Sequence, residues 1–196
     1  MSRSFKHWTL RYMYSRSKEM LYRLKNPEAP WLTPDAISLI EKLIRSNDVG
    51  LEFGSGRSTV WFCERVGHLL SVETDPAWYE WTKGALRSKN LTNFTYECVT
   101  VREIEKHPEK YVNFFIKYGD NAFDFALIDG KLRAEVTKNV LRRIKIGGIL
   151  IIDNVNRYIP TKTNAPASVG MRGEPVSKLW AEIYTELGTW RCLHTS

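Results

Sequence analysis

The sequence predicts a doubly wound α/β fold: a mostly parallel sheet of about six strands with helices on both faces, preceded by a basic helical arm. Three observations carry this. Short apolar runs alternate with segments whose apolar residues recur at helical spacing, the order of a βαβ chain. The inner runs, residues 123–128 and 149–152, are almost continuously apolar, as strands covered on both faces are. Four runs end on a carboxyl residue, namely Glu52, Glu73, Asp129 and Asp153. In a parallel sheet these positions share one edge, the carboxyl ends of the strands, where ligands sit.

The elements follow in order. Residues 1–30 read as a basic arm and linker, and residues 31–196 as one domain, a length that supports a single core. The net charge of +7 is concentrated in the arm. There Arg3, Lys6, Arg11, Arg16, Lys18, Arg23 and Lys25 face Glu19 alone, interleaved with Phe5, Trp8, Tyr12, Met20, Leu21 and Leu24. Three readings of the arm stand: an amphipathic helix for a membrane surface or acidic partner, a helix packed on the body with solvated bases, or an organelle transit peptide. The near-neutral body argues against nucleic acid as the partner.

Thr33-Pro34-Asp35 opens a helix with a capping threonine and a proline in its first turn. Strand one runs from about Asp48 to Glu52, and a helix follows from about Thr59 to a stop at Gly67. Residues 68–73 are strand two. Asp75-Pro76 repeats the cap-plus-proline start, with Trp78, Trp81, Ala85 and Leu86 as the buried face of the helix. Residues 94–99 are strand three. Residues 101–121 read as one or two short helices with an aromatic patch of Tyr111, Phe114, Phe115 and Tyr118. Strand four ends on Asp129, and Leu132, Val136, Val140 and Ile144 mark the helix after it. Gly147-Gly148 turns into strand five, which ends on Asp153-Asn154. Residues 157–175 form a long, Pro- and Gly-rich loop of the functional kind. A last helix spans 176–187, and a sixth short strand lies around 190–193.

Cys63, Cys98 and Cys192 have no metal-ligand spacing and are odd in number, so they read as reduced core residues of a cytoplasmic protein. His7, His68, His107 and His194 form no ligand set. No apolar run is long enough to span a bilayer.

The chemistry centres on Leu51-Glu52-Phe53-Gly54-Ser55-Gly56-Arg57-Ser58-Thr59, a strand that ends in a glycine turn and restarts as a helix. Glu73 lies 21 positions after Glu52, where an α/β nucleotide site needs an acceptor for ribose hydroxyls. A dinucleotide site wants a third glycine where Thr59 stands, and no G-K-S/T run is present for a triphosphate. An acid directly before the turn suits a ligand carrying positive charge. S-adenosylmethionine, with its amino group and sulfonium, meets that description.

With L-E-F-G-S-G-R-S-T, S-V-E-T-D-P, F-A-L-I-D-G and G-G-I-L-I-I-D-N in place, the chain resembles the class I S-adenosylmethionine-dependent methyltransferases over residues 33–155, whose sheet is Rossmann-like. The resemblance implies cofactor contacts from Glu52, Gly54, Ser55, Gly56, Ser58, Glu73 and Asp129. Asp129 with Asp153-Asn154 is similar to the strand ends of the catechol and caffeoyl-coenzyme A O-methyltransferases. That implies a divalent cation such as Mg on Asp129, Asp153 and Asn154, with Asp129, Asp153 and Lys131 as catalytic residues. Those relatives place a lysine base where Leu132 stands, and Lys131 and Arg133 flank the position. The implied reaction is methyl transfer to a small-molecule hydroxyl. The alternatives are an NAD(P)-dependent oxidoreductase and an RNA ribose methyltransferase using the arm. Lys131, Arg133 and Arg157 are candidate holders of an anionic acceptor. The missing partner for a sixth strand points to a homo-oligomer, since an open edge is a liability.

Overall fold

The computed structural model describes residues 10–163, 165 and 167–195, so the readings placed on Arg3, Phe5, Lys6, His7 and Trp8 lie outside the described residues. In chain order the elements are α1 (Leu10–Lys25), α2 (Pro34–Leu43), β1 (Val49–Phe53), α3 (Arg57–Cys63), β2 (His68–Glu73), α4 (Pro76–Ser88) and β3 (Phe94–Cys98). They continue with α5 (Val101–Lys106), α6 (Pro108–Val112), β4 (Phe123–Ile128), α7 (Arg133–Val140), β5 (Ile144–Ile152) and α8 (Lys178–Leu187). The chain forms two compact units, residues 41–153 and residues 1–40 with 154–196.

The unit of residues 41–153 holds the sheet, in the order β3-β2-β1-β4-β5 with every pairing parallel. The chain runs outward from β1 to β3 on one side, then crosses to β4 and β5 on the other. The order reverses between β1 and β4, which opens a crevice at their carboxyl ends. Consecutive residues of β4, Phe125 to Ile128, are at most 1% exposed, so both faces of the strand are covered. Five strands form, not about six. Residues 190–193 are irregular, and the backbone here bonds back to α8, Trp190 N donating to Leu187 O.

Local chemistry explains the boundaries. The Asp75 carboxylate accepts from Ala77 N and Trp78 N at 2.8 and 3.1 Å, with Pro76 in the first turn of α4. Thr100 and Glu103 form a reciprocal capping box at α5. β5 begins at Ile144, five residues earlier than the sequence implies. Gly147, at φ +83°, lets it bulge at the Phe123/Phe125 register shift instead of turning. The buried face of α4 is Thr82 and Leu86, while Trp78 and Trp81 stack at 4.6 Å with 37% and 47% exposure. Tyr111 and Phe115 are fully buried, their rings edge-on to Phe53. Of the cysteines, Cys63 is buried, Cys98 half-buried and Cys192 exposed, so Cys192 is no core residue.

In the other unit, Tyr158 stacks on Trp180 of α8 at 4.8 Å, and Ile159, Ile183 and Leu187 are buried. Between β5 and α8 a short 3-10 helix covers Val155–Arg157, and backbone bonds run from Val169 to Asn156 and from Val176 to Tyr158. No helix among the described residues is long and apolar enough to cross a membrane.

Candidate active site

The loop after β1 leaves the strand through Gly54, whose φ of +88° suits glycine. A Cβ there would stand 2.9 Å from the carbonyl carbon of Asp129 and 3.0 Å from Gly130 N. The loops that follow β1 and β4 therefore touch backbone to backbone, with Asp129 N donating to Phe53 O at 2.8 Å. This contact brings the glycine turn and the Asp129 carboxyl to one open cleft of about 340 Å³. Its walls are Gly54, Ser55, Glu73, Thr74, Trp78, Asp129, Gly130, Lys131 and Arg133.

Glu73, at the end of β2, clamps the glycine loop. One carboxylate oxygen accepts from Ser55 N at 2.9 Å and Ser55 Oγ at 2.8 Å. The other accepts from Thr74 N at 2.6 Å and Asp75 N at 3.0 Å. Ser55 Oγ also lies 2.5 Å from the Tyr96 hydroxyl, and Trp78 Nε1 donates to Ser55 O at 2.7 Å. The Ser55 hydroxyl thus has a second partner. A carboxylate oxygen takes more than one donor, and Glu73 lines the cleft.

Glu52 departs from the role expected of it. It is fully buried and accepts from Ser58 Oγ at 2.6 Å, Thr59 Oγ1 at 2.5 Å and Ser71 Oγ at 2.6 Å. Burial pushes its pKa up to about 7, against the lowering effect of those three hydroxyls. Behind the loop, it ties the start of α3 to β1 and β2 and is not part of the cleft wall. Gly56 is buried against Trp78, and Ser58 is spent on Glu52, so neither lines the cleft. Thr59, standing where a dinucleotide loop has its third glycine, is buried, donating to Glu52 and accepting from Gly56 N at 2.9 Å.

Across the cleft stands Asp129, with Arg133 four residues on. Arg133 Nη2 donates to Asp129 Oδ1 at 2.6 Å and to Asp129 O at 2.9 Å, and Arg133 Nε donates to Gly130 O at 3.1 Å. Its Nη1 donates to the carbonyl of Asp153 and lies 3.8 Å from Asp153 Oδ2. Burial and the charge of Asp153 push the Asp129 carboxyl up to about 7, partly offset by Arg133. A carboxyl that titrates near neutrality is suited to act as a base.

The predicted cation set is corrected by this geometry. The Arg133 guanidinium already spans Asp129 and Asp153 with a fixed positive charge, which repels a divalent ion from the same oxygens. Asn154, at φ +54°, uses its carbonyl to accept from Arg157 N at 3.0 Å. No three His, Cys, Asp or Glu side chains converge among the described residues. These residues do not fit a metal. Lys131 lines the cleft with an exposed side chain and is held by a backbone bond from its N–H to Tyr111 Oη at 3.1 Å.

Arg133 as the bridge is what sequence reasoning missed. No sequence signal marked it, because Asp129 to Leu132 form a loop and the contact depends on how that loop turns into the helix at Arg133. Thr74 and Trp78 were missed as wall residues because no pattern marks a side chain that turns back over a loop.

The model of a methyltransferase domain matches residues 51–155, more than half of the chain. No curated protein sequence matches it. Among solved structures, the precorrin 8W decarboxylase of Methanobacterium thermoautotrophicum is similar at 22% identity over 65% of this chain and 66% of that one, with a TM-score of 0.49. A methyltransferase-like protein of Silicibacter pomeroyi follows at 23% identity, covering 56% and 65%, with a TM-score of 0.47. A Streptococcus thermophilus rRNA methylase is similar at 12% identity, covering 64% and 75%, with a TM-score of 0.47. The chain spans just under two-thirds of the length of the first of these. On the family match, and with glycine loop, strand-end acids and parallel sheet in register, the chain belongs to the methyltransferase-domain family, of the class I S-adenosylmethionine-dependent kind.

Proposed function

We propose that the protein transfers the methyl group of S-adenosylmethionine to a hydroxyl of a small molecule. The observation that supports this most is the pairing of two carboxyl sites across one cleft. Glu73 and the Gly54-Ser55 turn form one wall, and Asp129 with Arg133, which ties it to Asp153 behind, forms the other.

The residues present suit the cofactor. Glu73 is an acceptor for ribose hydroxyls, and a side-chain-free Gly54 with Ser55 leaves the turn open to the methionine end. The bound cofactor supplies an electrophilic methyl group on a sulfonium. Asp129, ionised above about pH 7, would take the proton of the acceptor hydroxyl, whose oxygen would receive the methyl group that the cofactor gives up to become a neutral thioether. Arg133 keeps the Asp129 carboxylate in place and stabilises its charged form. Much of the remaining acceleration is proximity of oxygen to methyl. The exposed Lys131 at the rim suits an acceptor carrying a carboxylate or phosphate.

The test is turnover of methyl-labelled S-adenosylmethionine with a panel of phenolic and aliphatic alcohols. The double variant Asp129→Ala with Asp153→Ala abolishes methylation of any acceptor found while leaving S-adenosylhomocysteine binding in place. Undiminished turnover in that variant would remove the acceptor-side assignment.

A further inference from the structure

The helix α1 is turned the wrong way round for a helix that only packs on its own protein. An ordinary surface helix buries its apolar stripe and shows water its polar face. In α1 the half-buried side chains are Ser15, Glu19, Tyr22 and Arg23, while Met13, Met20, Leu21 and Leu24 are exposed by 48%, 65%, 58% and 69%. At 100° per residue, Met13, Met20 and Leu24 fall within a narrow sector, with Leu21 and the exposed Tyr14 beside it and, among them, the small Ser17, whose hydroxyl donates to Met13 O at 3.0 Å. Arg16 and Arg23 flank that sector on one side, Lys18 and Lys25 on the other.

The bases are partly engaged but not cancelled. Arg16 and Arg23 share Glu19, each at 2.7 Å, and Lys18 lies 3.8 Å from Asp35. Glu19 is the only acid of the helix, so the stripe is bordered by net positive charge.

From this arrangement we infer that α1 is a docking surface for an anionic lipid bilayer, lying in the plane of the headgroups. The apolar side chains enter the acyl boundary, and the flanking Lys and Arg stems run along the stripe with their charges at the phosphates. Tyr14 stands at the edge of the stripe, where an aromatic ring with a polar tip favours the interface. Sixteen residues of this composition lie on a membrane and do not cross it. A phosphate backbone of RNA has no use for the apolar centre of the stripe. A single convex helix also offers an acidic peptide no recess between its bases. The inference is independent of the methyl acceptor.

Co-sedimentation of the full chain with vesicles tests it. Vesicles of phosphatidylcholine mixed with phosphatidylglycerol pull the protein down, phosphatidylcholine alone does so weakly, and added salt reverses the binding. Leu21→Asp with Leu24→Asp, both on exposed positions, lowers the partition by about tenfold or more. Each of Arg16→Gln and Lys25→Gln lowers it about fivefold. Unchanged circular dichroism and S-adenosylhomocysteine binding in these variants separate loss of docking from loss of fold. Binding that is equal on both lipids and indifferent to Leu21 and Leu24 would overturn the inference. So would binding to RNA but not to vesicles, or a lipid-independent dimer that the leucine variants dissociate.

Discussion

The Arg133 guanidinium donates to the Asp129 carboxylate at 2.6 Å while its other nitrogen reaches the carbonyl of Asp153. A fixed cation thus occupies the space between the acids that end β4 and β5. The sheet brings those acids together, because β4 and β5 pair in parallel with Ile128 opposite Ile152. Burial and the charge of Asp153 raise the Asp129 pKa to about 7, and Arg133 offsets part of that rise by favouring the ionised form.

Turnover should therefore rise with pH through about 7, as the Asp129 carboxyl loses its proton. Asp129→Asn should lower kcat by roughly a hundredfold or more and flatten the profile. Arg133→Met removes the charge that lowers this pKa, so the acid limb of the profile should move to higher pH. A pH–rate profile of the three proteins checks this. An acid limb unmoved by Arg133→Met would remove Arg133 from the account.

Chelation should leave turnover unchanged, since Arg133 holds the oxygens a divalent ion would need. Activity measured before and after dialysis against excess EDTA decides the point. Loss on dialysis with recovery on adding magnesium would show that Arg133 swings away in the working enzyme.

Glu52 makes stability fall with pH. The unfolded chain releases this proton near the ordinary glutamate value of 4.5, the folded one near 7. The stabilisation is complete below the unfolded value and is lost as pH rises through the folded one. Glu52→Gln carries no such proton, so its stability relative to the native sequence should improve between pH 5 and 8, by on the order of 3 kcal/mol. Urea midpoints at the two pH values measure the difference. A gap independent of pH would mean that Glu52 stays ionised.

Gly54→Ala should cost about 2–4 kcal/mol, because the backbone is left-handed there and the new methyl meets the Asp129 carbonyl. It should weaken cofactor binding as well, by separating the loops after β1 and β4. Thermal melts and titration calorimetry report the two effects separately. A native-like melt would contradict the backbone-to-backbone contact.

Much of the fold was legible because its signals are local. Glu73 ends β2 at the expected residue, and Asp75 with Pro76 caps α4 as its side chain dictates. β4 ran apolar through residues buried on both faces. The failures were of long range. A sixth strand was read into residues 190–193, but the backbone at Thr189 and Trp190 folds back onto the end of α8. Gly147-Gly148 read as a turn because a bulge depends on the partner strand's register, which the chain itself does not display. At the site, the acidic character of Glu52 was visible while its burial was not. The three hydroxyls that satisfy it come from α3 and β2, brought together only by the sheet. Arg133 was read as a holder of an anionic acceptor and Lys131 as a catalytic residue, because the bridge to Asp129 and Asp153 depends on how the loops after β4 and β5 meet.

The central claim is that the Gly54-Ser55 turn and Glu73 hold S-adenosylmethionine. Titration calorimetry with S-adenosylhomocysteine and with NAD tests it most directly, on the native sequence and on Glu73→Ala. The account predicts binding of S-adenosylhomocysteine, weakened roughly tenfold to a hundredfold by Glu73→Ala, and no binding of NAD. Binding of NAD with none of S-adenosylhomocysteine would contradict it.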